Sequence, residues 1–127
     1  MGAKTEHEPH QRPSNVGASV QIEPAKLTAI VDEAARVLGL LANSKRLLIL
    51  CCLIEHDELN VTALASRVGL SQSALSQHLA KLRLGGLVTF RREAQILFYA
   101  VNDARVRQLL RSLEEALCSL RSADQAP

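Results

Sequence analysis

One segment, residues 61–88, constrains the fold more than any other part of the chain; it reads VTALASRVGLSQSALSQHLAKLRLGGLV. Its apolar residues recur at helical spacing on both sides of a short break at Gly69 and Ser71. Gly69 can adopt the left-handed backbone that ends a helix, and the hydroxyl of Ser71 can cap the start of the next one. The segment therefore predicts two short helices joined by a tight turn, a helix-turn-helix.

The second of these helices separates an apolar face from a polar one. Leu75, Leu79 and Leu82 recur at helical spacing and form the apolar stripe. The other side carries short polar groups and one cation, which suit base edges and phosphates. The candidate DNA-binding residues in this segment are Ser71, Gln72, Ser73, Ser76, Gln77 and Lys81. A solvated polar face on an ordinary helical hairpin is the alternative that this segment alone leaves open.

A β-hairpin is predicted directly after this segment. Two runs rich in β-branched and aromatic residues, LVTF and ILFYAV, flank a charged stretch at residues 91–95. We expect this stretch to form the turn, with Arg91 and Arg92 at its tip. A helix-turn-helix followed by a basic hairpin is a winged helix, whose recognition helix enters the major groove while the wing reaches flanking DNA. The serines and glutamines at positions 72, 73, 76 and 77 are expected to read bases, and Lys81, Arg91 and Arg92 to hold phosphates.

Positive charge is concentrated on this part of the chain. The formal net charge is only +2 over 127 residues, yet the segment from Arg67 to Arg111 carries +6 and the residues before and after it carry −2 each. A protein that binds DNA needs a positively charged surface, because such a surface neutralises phosphates and releases their counterions. The distribution favours a double-stranded DNA partner over the alternative, a merely solubilising surface.

Three further helices are predicted, two before the helix-turn-helix and one after the hairpin. Pro24 suits the first turn of a helix that runs to about residue 41. Asn43 can cap a second helix over residues 44–55, and Asp103 can begin the last one. The first and last helices carry more apolar surface than one small subunit can bury, so we expect a homodimer that presents two recognition helices to a pseudo-palindromic site. The predicted fold class is mainly α with a small β-hairpin wing, a homodimeric winged helix-turn-helix.

The chain is expected to be one small domain with two tails. Residues 1–21 are polar and unpatterned, which predicts a disordered N-terminal tail. Residues 22–121 are expected to form the DNA-binding and dimerisation domain, and residues 122–127 a C-terminal tail. Only 2% of the residues are aromatic, so the core must be aliphatic. Since no apolar run is long enough for a membrane span and no secretion signal opens the chain, we expect a cytoplasmic protein without a membrane partner.

Three segments of the chain match a known family pattern. They read LANSKRLLILCCL in the second helix, LSQSALSQHLAKLRLGGLV around the recognition helix and RREAQILFYAV in the wing. These segments resemble the ArsR/SmtB winged-helix repressors, over about residues 38–120. The resemblance implies a dimeric DNA-binding repressor. It does not specify the signal, because family members sense metals, arsenicals or reactive sulfur at sites in different places.

The resemblance does not extend to the metal sites of the family. Thiolate-type sensors carry a Cys-x-Cys motif at the start of the third helix, where this chain has Asn60, Val61 and Thr62. Zinc sensors use Asp and His residues of the last helix, where no His follows Asp103. The other histidines have no partners for a zinc site, and His78 is interpreted as a half-buried structural residue. We therefore expect neither a metal nor a cofactor.

The three cysteines indicate a redox signal. In a cytoplasmic chain Cys51, Cys52 and Cys118 do not make a structural disulfide framework, and a Cys is usually a small buried hydrophobe. Cys51 and Cys118, however, are similar in position to the dithiol switch of the persulfide- and oxidant-sensing branch of the family. The resemblance implies that a reactive sulfur species or an oxidant bridges them and weakens DNA binding. Cys52 points about 100° away from Cys51 on a helix and is expected to be a bystander.

Two further observations bear on this switch. Lys45 and Arg46 precede Cys51 by one to two helical turns and are candidates for the positive charge that a reactive thiolate needs. The recognition segment also resembles family members that lack such a cysteine pair. A repressor without a cysteine switch therefore stays open as an alternative.

Functions of other classes are weighed against a repressor. A winged helix can also serve as a protein-binding module, and DNA retention that weakens steeply with salt would distinguish the two. The chain has no nucleophile with a base at motif spacing, no phosphate-binding loop and no His-Glu-x-x-His motif. The sequence therefore predicts a regulator and not an enzyme.

Overall fold

The structure consists of helices and one small sheet. The computed structural model describes the backbone of residues 21–125 and the side chains of residues 21–118. In chain order the elements are α1 (Pro24–Leu41), α2 (Ser44–His56), β1 (Leu59–Asn60), α3 (Val61–Val68), α4 (Gln72–Leu84), β2 (Val88–Glu93), β3 (Ile96–Val101) and α5 (Ala104–Gln125). The predicted order of helices and hairpin is confirmed, and β1 is an addition to it. Over the described range no single helix is long and apolar enough to cross a membrane, and α1 and α2 reach that length and composition only as a bent pair.

Both expected tails lie partly outside the described residues. Residues 1–20 of the expected N-terminal tail lie outside the described residues. At the other end, α5 continues to Gln125 and so includes part of the expected C-terminal tail. The chain divides into two units between Glu33 and Ala34, inside α1. In the first unit, Pro24 occupies the first position of α1, as predicted.

Local polar groups define the helix ends. The side-chain oxygen of Asn43 accepts a hydrogen bond from the Arg46 N–H at 3.0 Å. The hydroxyl of Ser71 accepts one from the Ala74 N–H at 3.1 Å. Each such cap stabilises a helix by about 1 kcal/mol. Gly69 ends α3 in the left-handed conformation, with φ 69° and ψ 38°. The predicted helix-turn-helix is thus confirmed down to its turn residues.

An aliphatic core fixes the recognition helix, α4, in place. The three leucines of its predicted stripe are buried, and they pack with buried side chains of α2, α3 and α5. Burying one such side chain contributes about 1.5–3 kcal/mol. The largest fully buried side chains are Ile49, Leu50, Leu53, Leu64, Leu75, Leu79, Leu82, Leu87 and Val106. Because one face of α4 is held by this core, the opposite face is left to solvent.

The wing belongs to a three-stranded antiparallel sheet. The strand order is β1-β3-β2, so β3 is the central strand. β1 pairs with β3 through Leu59 opposite Tyr99 and Asn60 opposite Phe98. The sheet therefore connects the wing to the segment that precedes α3.

The hairpin turn is shorter than the sequence indicated. Pairing of β2 with β3 continues to Glu93 opposite Ile96, which leaves only Ala94 and Gln95 in the turn. Ala94 has a φ of 58°, the left-handed region that a tight two-residue turn demands. The prediction that Arg91 and Arg92 lie at the tip is therefore wrong. Both lie within β2, since an exposed edge strand accommodates charged side chains.

Candidate nucleic-acid interface and cysteine groove

The exposed face of α4 carries the predicted DNA-binding residues. Ser71 lies at its N-cap, and the other five are exposed along the helix: Gln72, Ser73, Ser76, Gln77 and Lys81. The structure therefore brings all six onto one surface.

Not all of these side chains are equally available. Ser71 uses its oxygen as the helix cap, and the Gln72 amide donates a hydrogen bond to the Thr62 hydroxyl of α3 at 3.3 Å. By contrast, Ser73, Ser76 and Gln77 make no side-chain hydrogen bond within residues 21–118. The middle of α4 is thus the part most ready to exchange water for base edges.

His78 lies beside this face and is half-buried, as predicted. Burial lowers its pKa below the ordinary histidine value, and the charges of Arg46 and Lys81 lower it further. The imidazole is therefore neutral at pH 7 and adds no positive charge to the helix. Across the described residues, no three His, Cys, Asp or Glu side chains cluster closely enough to hold a metal ion.

The two predicted cations of the wing, Arg91 and Arg92, differ in their ion pairs. The guanidinium of Arg91 is paired with the carboxylates of Glu58 and Glu93, whereas Arg92 is exposed without an ion pair among the described side chains. A third arginine, Arg83, stacks its guanidinium 4.5 Å from the ring centroid of Phe90. That contact joins the end of α4 to β2.

Sequence reasoning missed three of these contact residues. Glu58 contacts Arg91 of the wing, Thr62 contacts Gln72 of the recognition helix, and Arg83 joins that helix to Phe90 of the wing. Their roles depend on side chains brought near by the fold. Only the β-propensity of the wing strands gave a partial signal, since it implied that something must pack against their aromatic rings.

The second candidate site is a groove lined by residues of α2 and α5. Its volume is about 460 Å³, and Cys51, Glu55, Arg111 and Glu114 line it together with Ile54 and Leu110. Cys51 and Cys118 are exposed free thiols, and Cys52 is half-buried. Cys118 follows Glu114 by one helical turn, so the two side chains share a face of α5. Cys51 thus lines the groove itself, and Cys118 lies one helical turn beyond Glu114, which lines it from α5.

The electrostatics of Cys51 differ from the sequence expectation. Partial burial raises the pKa of the Cys51 thiol, and the neighbouring acidic groups Glu114, Cys52 and Glu55 raise it further. This direction is opposite to the activation expected from Lys45 and Arg46. One reason is that the Arg46 guanidinium is engaged elsewhere, donating to the carbonyl of Leu40 at 2.7 Å. In this reduced form Cys51 is mainly a protonated thiol at neutral pH.

Residues 43–89, which contain the helix-turn-helix, match the family model described as "Bacterial regulatory protein, arsR family". The chain is also 48% identical to Transcriptional activator HlyU of Vibrio cholerae over 98 residues, which are 75% of this chain and 90% of the relative. A match of this extent and identity decides the family. The chain belongs to the ArsR family.

Solved structures of ArsR-family proteins share its fold. Reduced HlyU from Vibrio cholerae has a TM-score of 0.68 and 44% identity, covering 72% of this chain and 96% of that one. The transcriptional repressor BigR from Xylella fastidiosa has a TM-score of 0.69 and 32% identity, covering 76% and 98%. The homodimeric winged helix-turn-helix domain of Mb0332 from Mycobacterium bovis has a TM-score of 0.71 and 30% identity, covering 83% and 96%. This ArsR-family chain is a winged helix-turn-helix transcriptional regulator that binds DNA, and it is not an enzyme.

Proposed function

We propose that the chain is a cytoplasmic, homodimeric repressor whose hold on a pseudo-palindromic operator is relieved when Cys51 and Cys118 become bridged. The observation that carries the switch is that both thiols are exposed, with Cys51 in the groove between α2 and α5 and Cys118 one helical turn beyond Glu114 of that groove. The inducer would be a persulfide or an oxidant.

DNA recognition is assigned to α4 and the wing. Gln72, Ser73, Ser76 and Gln77 read base edges in the major groove, and Lys81 and Arg92 hold phosphates. The support is the exposure of the α4 residues on a helix whose other face is buried, and the exposure of Arg92 on β2. Amide side chains suit this role because they can pair with adenine through two hydrogen bonds.

Dimerisation is assigned to an apolar surface formed by the end of α1, the start of α2 and α5. An apolar groove of about 340 Å³ is lined there by Leu38, Leu41, Ala42, Leu47, Leu109, Leu110 and Leu113. Further along α5, Leu117 is 51% exposed. Such a surface is covered at least cost by its own copy. The similar Mb0332 domain is homodimeric, which supports this assignment. A twofold axis would place two α4 helices on successive major grooves.

Bridging by a persulfide takes two steps. A low-molecular-weight persulfide, RSSH, transfers its outer sulfur to Cys51 and leaves as RSH. The Cys118 thiolate then attacks the Sγ of Cys51, forms the disulfide and releases hydrogen sulfide. With a peroxide, Cys51 is first oxidised to the sulfenic acid with loss of water, and Cys118 displaces a second water. In both routes the two thiols lose two electrons to the inducer.

Two observations support this assignment. The similar proteins include the repressor BigR and HlyU from Vibrio cholerae, whose structure is described as that of the reduced protein. The redox state was therefore specified for at least one similar protein. In this chain, the Glu114 charge acts on Cys51 from the turn of α5 that precedes Cys118, so the two helices approach each other there. Because the pKa of Cys51 is raised, bridging should speed up about tenfold per pH unit until that pKa is reached.

The test uses a duplex selected by the reduced protein from a random library. Operator binding is measured before and after treatment with a persulfide or hydrogen peroxide, and mass spectrometry locates the bridge. Cys51→Ser and Cys118→Ser should bind the duplex and ignore the treatment, while the matched control Cys52→Ser should still be released. Release requires bridging to favour the weak-binding state by about 1–3 kcal/mol.

Two outcomes would redirect the proposal. If Cys118→Ser is released as readily as the parent, the dithiol switch is refuted and a repressor with no cysteine switch is the better description. If no salt-sensitive duplex binding is found at all, the winged helix serves as a protein-binding module.

A further inference from the structure

The two arginines of the wing have opposite surroundings. Arg91 and Arg92 are neighbours on β2, so their side chains leave opposite faces of the sheet. Arg91 is held by carboxylates, while Arg92 is exposed and makes no ion pair or hydrogen bond within the described part of the chain. Since a phosphate contact needs an uncommitted cation, the two residues do not contribute equally to DNA binding.

All three guanidinium nitrogens of Arg91 face carboxylate oxygens. Nε donates to both oxygens of Glu58 at 3.1 Å, and Nη2 donates to Oε1 of Glu58 at 2.6 Å. Nη1 donates to Oε1 of Glu93 at 3.0 Å. The guanidinium carbon lies 4.5 Å from the ring centroid of Phe98. Bidentate pairs of this kind have a fixed geometry, which limits the directions open to a further acceptor.

The side chain of Arg91 crosses the width of the sheet. Phe98 on the central strand lies opposite Arg91 of β2 on one side and opposite Asn60 of β1 on the other. Glu58 precedes β1 in the segment that follows α2. By passing over Phe98 to reach Glu58, Arg91 fastens the outer strand of the wing to the body of the molecule.

The charge of this cluster opposes phosphate binding. One guanidinium and two carboxylates give a net charge of −1. The hydrogen bond from Arg91 lowers the pKa of Glu58, and the hydrogen bonds to Glu58 and Glu93 raise the pKa of Arg91, so the Arg91–Glu58 pair is ionised at neutral pH. Moving Arg91 onto a phosphate would leave Glu58 and Glu93 unpaired beside the DNA, where like charges repel.

We infer that Glu58 and Glu93 withhold Arg91 from DNA, so that Arg91 is a positioning residue of the wing and Arg92 supplies the wing's phosphate contact. The inference rests on the DNA-binding role of the chain and not on the cysteine switch. It replaces the sequence expectation that both arginines hold phosphates.

The salt dependence of DNA binding tests the assignment of each arginine. Binding of the reduced 127-residue chain to a duplex of unrelated sequence is measured by fluorescence anisotropy over a series of salt concentrations, because phosphate contacts do not depend on sequence. Arg92→Gln should reduce the slope of log K against log salt by about 0.9 per protomer, the loss of one contact. Arg91→Gln should leave the slope unchanged. An equal reduction by both variants would overturn the inference.

Removing the carboxylates gives the converse test and keeps the Arg91 charge. The double variant Glu58→Gln with Glu93→Gln should free Arg91 and steepen the slope by about 0.9 per protomer. Adding Arg91→Gln to that pair should abolish the gain. An unchanged slope in the double variant, or a gain that survives in the triple variant, would show that Arg91 is not withheld. If Arg91→Gln does not fold by circular dichroism, the comparison of the parent with the double variant decides alone.

The outcomes separate this inference from the proposed switch. A parent protein that bound no duplex would overturn the DNA-binding role and the inference with it. Loss of the response to persulfide would leave the slopes, and therefore the inference, untouched.

Discussion

Side chains on the exposed face of α4 differ in the hydrogen bonds that they would have to break in order to bind DNA. Gln72 would have to break or share its hydrogen bond to Thr62, whereas the Gln77 amide has no such bond to lose among the described residues. Binding replaces water on a side chain with base edges, and a side chain already bonded to protein gains less by that exchange. Gln77 should therefore contribute most to sequence preference.

Replacing Gln77 with Ala tests this at the level of one residue. The variant should lose about 1–3 kcal/mol of discrimination between the selected duplex and a scrambled one, if the amide makes a bidentate base contact. Gln108→Ala is the matched control, because Gln108 is an exposed glutamine on α5. Competition binding with both duplexes measures the difference. Full discrimination by the Gln77 variant would contradict the assignment.

At the level of elements, the features predicted from sequence are the local ones. Caps and stripes depend on residues three or four positions apart, so Asn43, Ser71 and the leucines of α4 could be assigned from spacing alone. β1 could not, because Leu59 acquires strand geometry only by pairing with distant Tyr99. The predicted position of the hairpin turn was wrong for a related reason. Charged residues occur both in turns and on edge strands, and only the register between the strands distinguishes the two.

In the candidate site too, only the features that depend on residues close in sequence could be predicted. Helical periodicity alone assigned the exposed face of α4. The partner of Arg91 was not predictable, since Glu58 lies 33 positions earlier in the chain. The environment of Cys51 was misjudged because its pKa is raised first by burial and then by Glu114 of α5, neither of which is evident from the sequence of α2.

Two glycines provide a paired test of element stability. Gly69 has a φ of 69° at the end of α3, so Gly69→Ala should lower the free energy of unfolding by about 1–2 kcal/mol. Gly39 lies within α1, and a Cβ added there would meet nothing within 4 Å. Gly39→Ala should instead raise the free energy of unfolding by about 0.5–1 kcal/mol. Urea denaturation checks both, and a Gly69 variant as stable as the parent would show that the left-handed turn is not required.

At the level of the whole molecule, α5 exposes a row of apolar side chains that contributes to the proposed dimer surface. Leu109, Leu113 and Leu117 are 41%, 43% and 51% exposed, and the first two line an apolar groove with residues of α1 and α2. If this surface joins two copies, the spacing of the two α4 helices depends on it. Operator affinity and dimer stability should then change together.

Replacing Leu113 with Glu tests this interface. A charge in a buried apolar interface is costly, so the variant should be monomeric or insoluble and should lose operator binding. Ser112→Glu is the matched control, because it adds the same charge at a neighbouring exposed position of α5. Light scattering after size-exclusion chromatography gives the mass in solution. A folded Leu113→Glu dimer with normal affinity would exclude this interface.

The pairing of β1 with β3 has a further consequence for how the molecule folds and opens. Asn60 and Phe98 lie opposite each other, so the chain between them, which contains α3 and α4 entirely, forms a closed loop. The entropy lost in closing that loop is recovered only when the helices inside it pack against the core. The wing strands and the two helices should consequently gain and lose protection from hydrogen exchange as one cooperative unit.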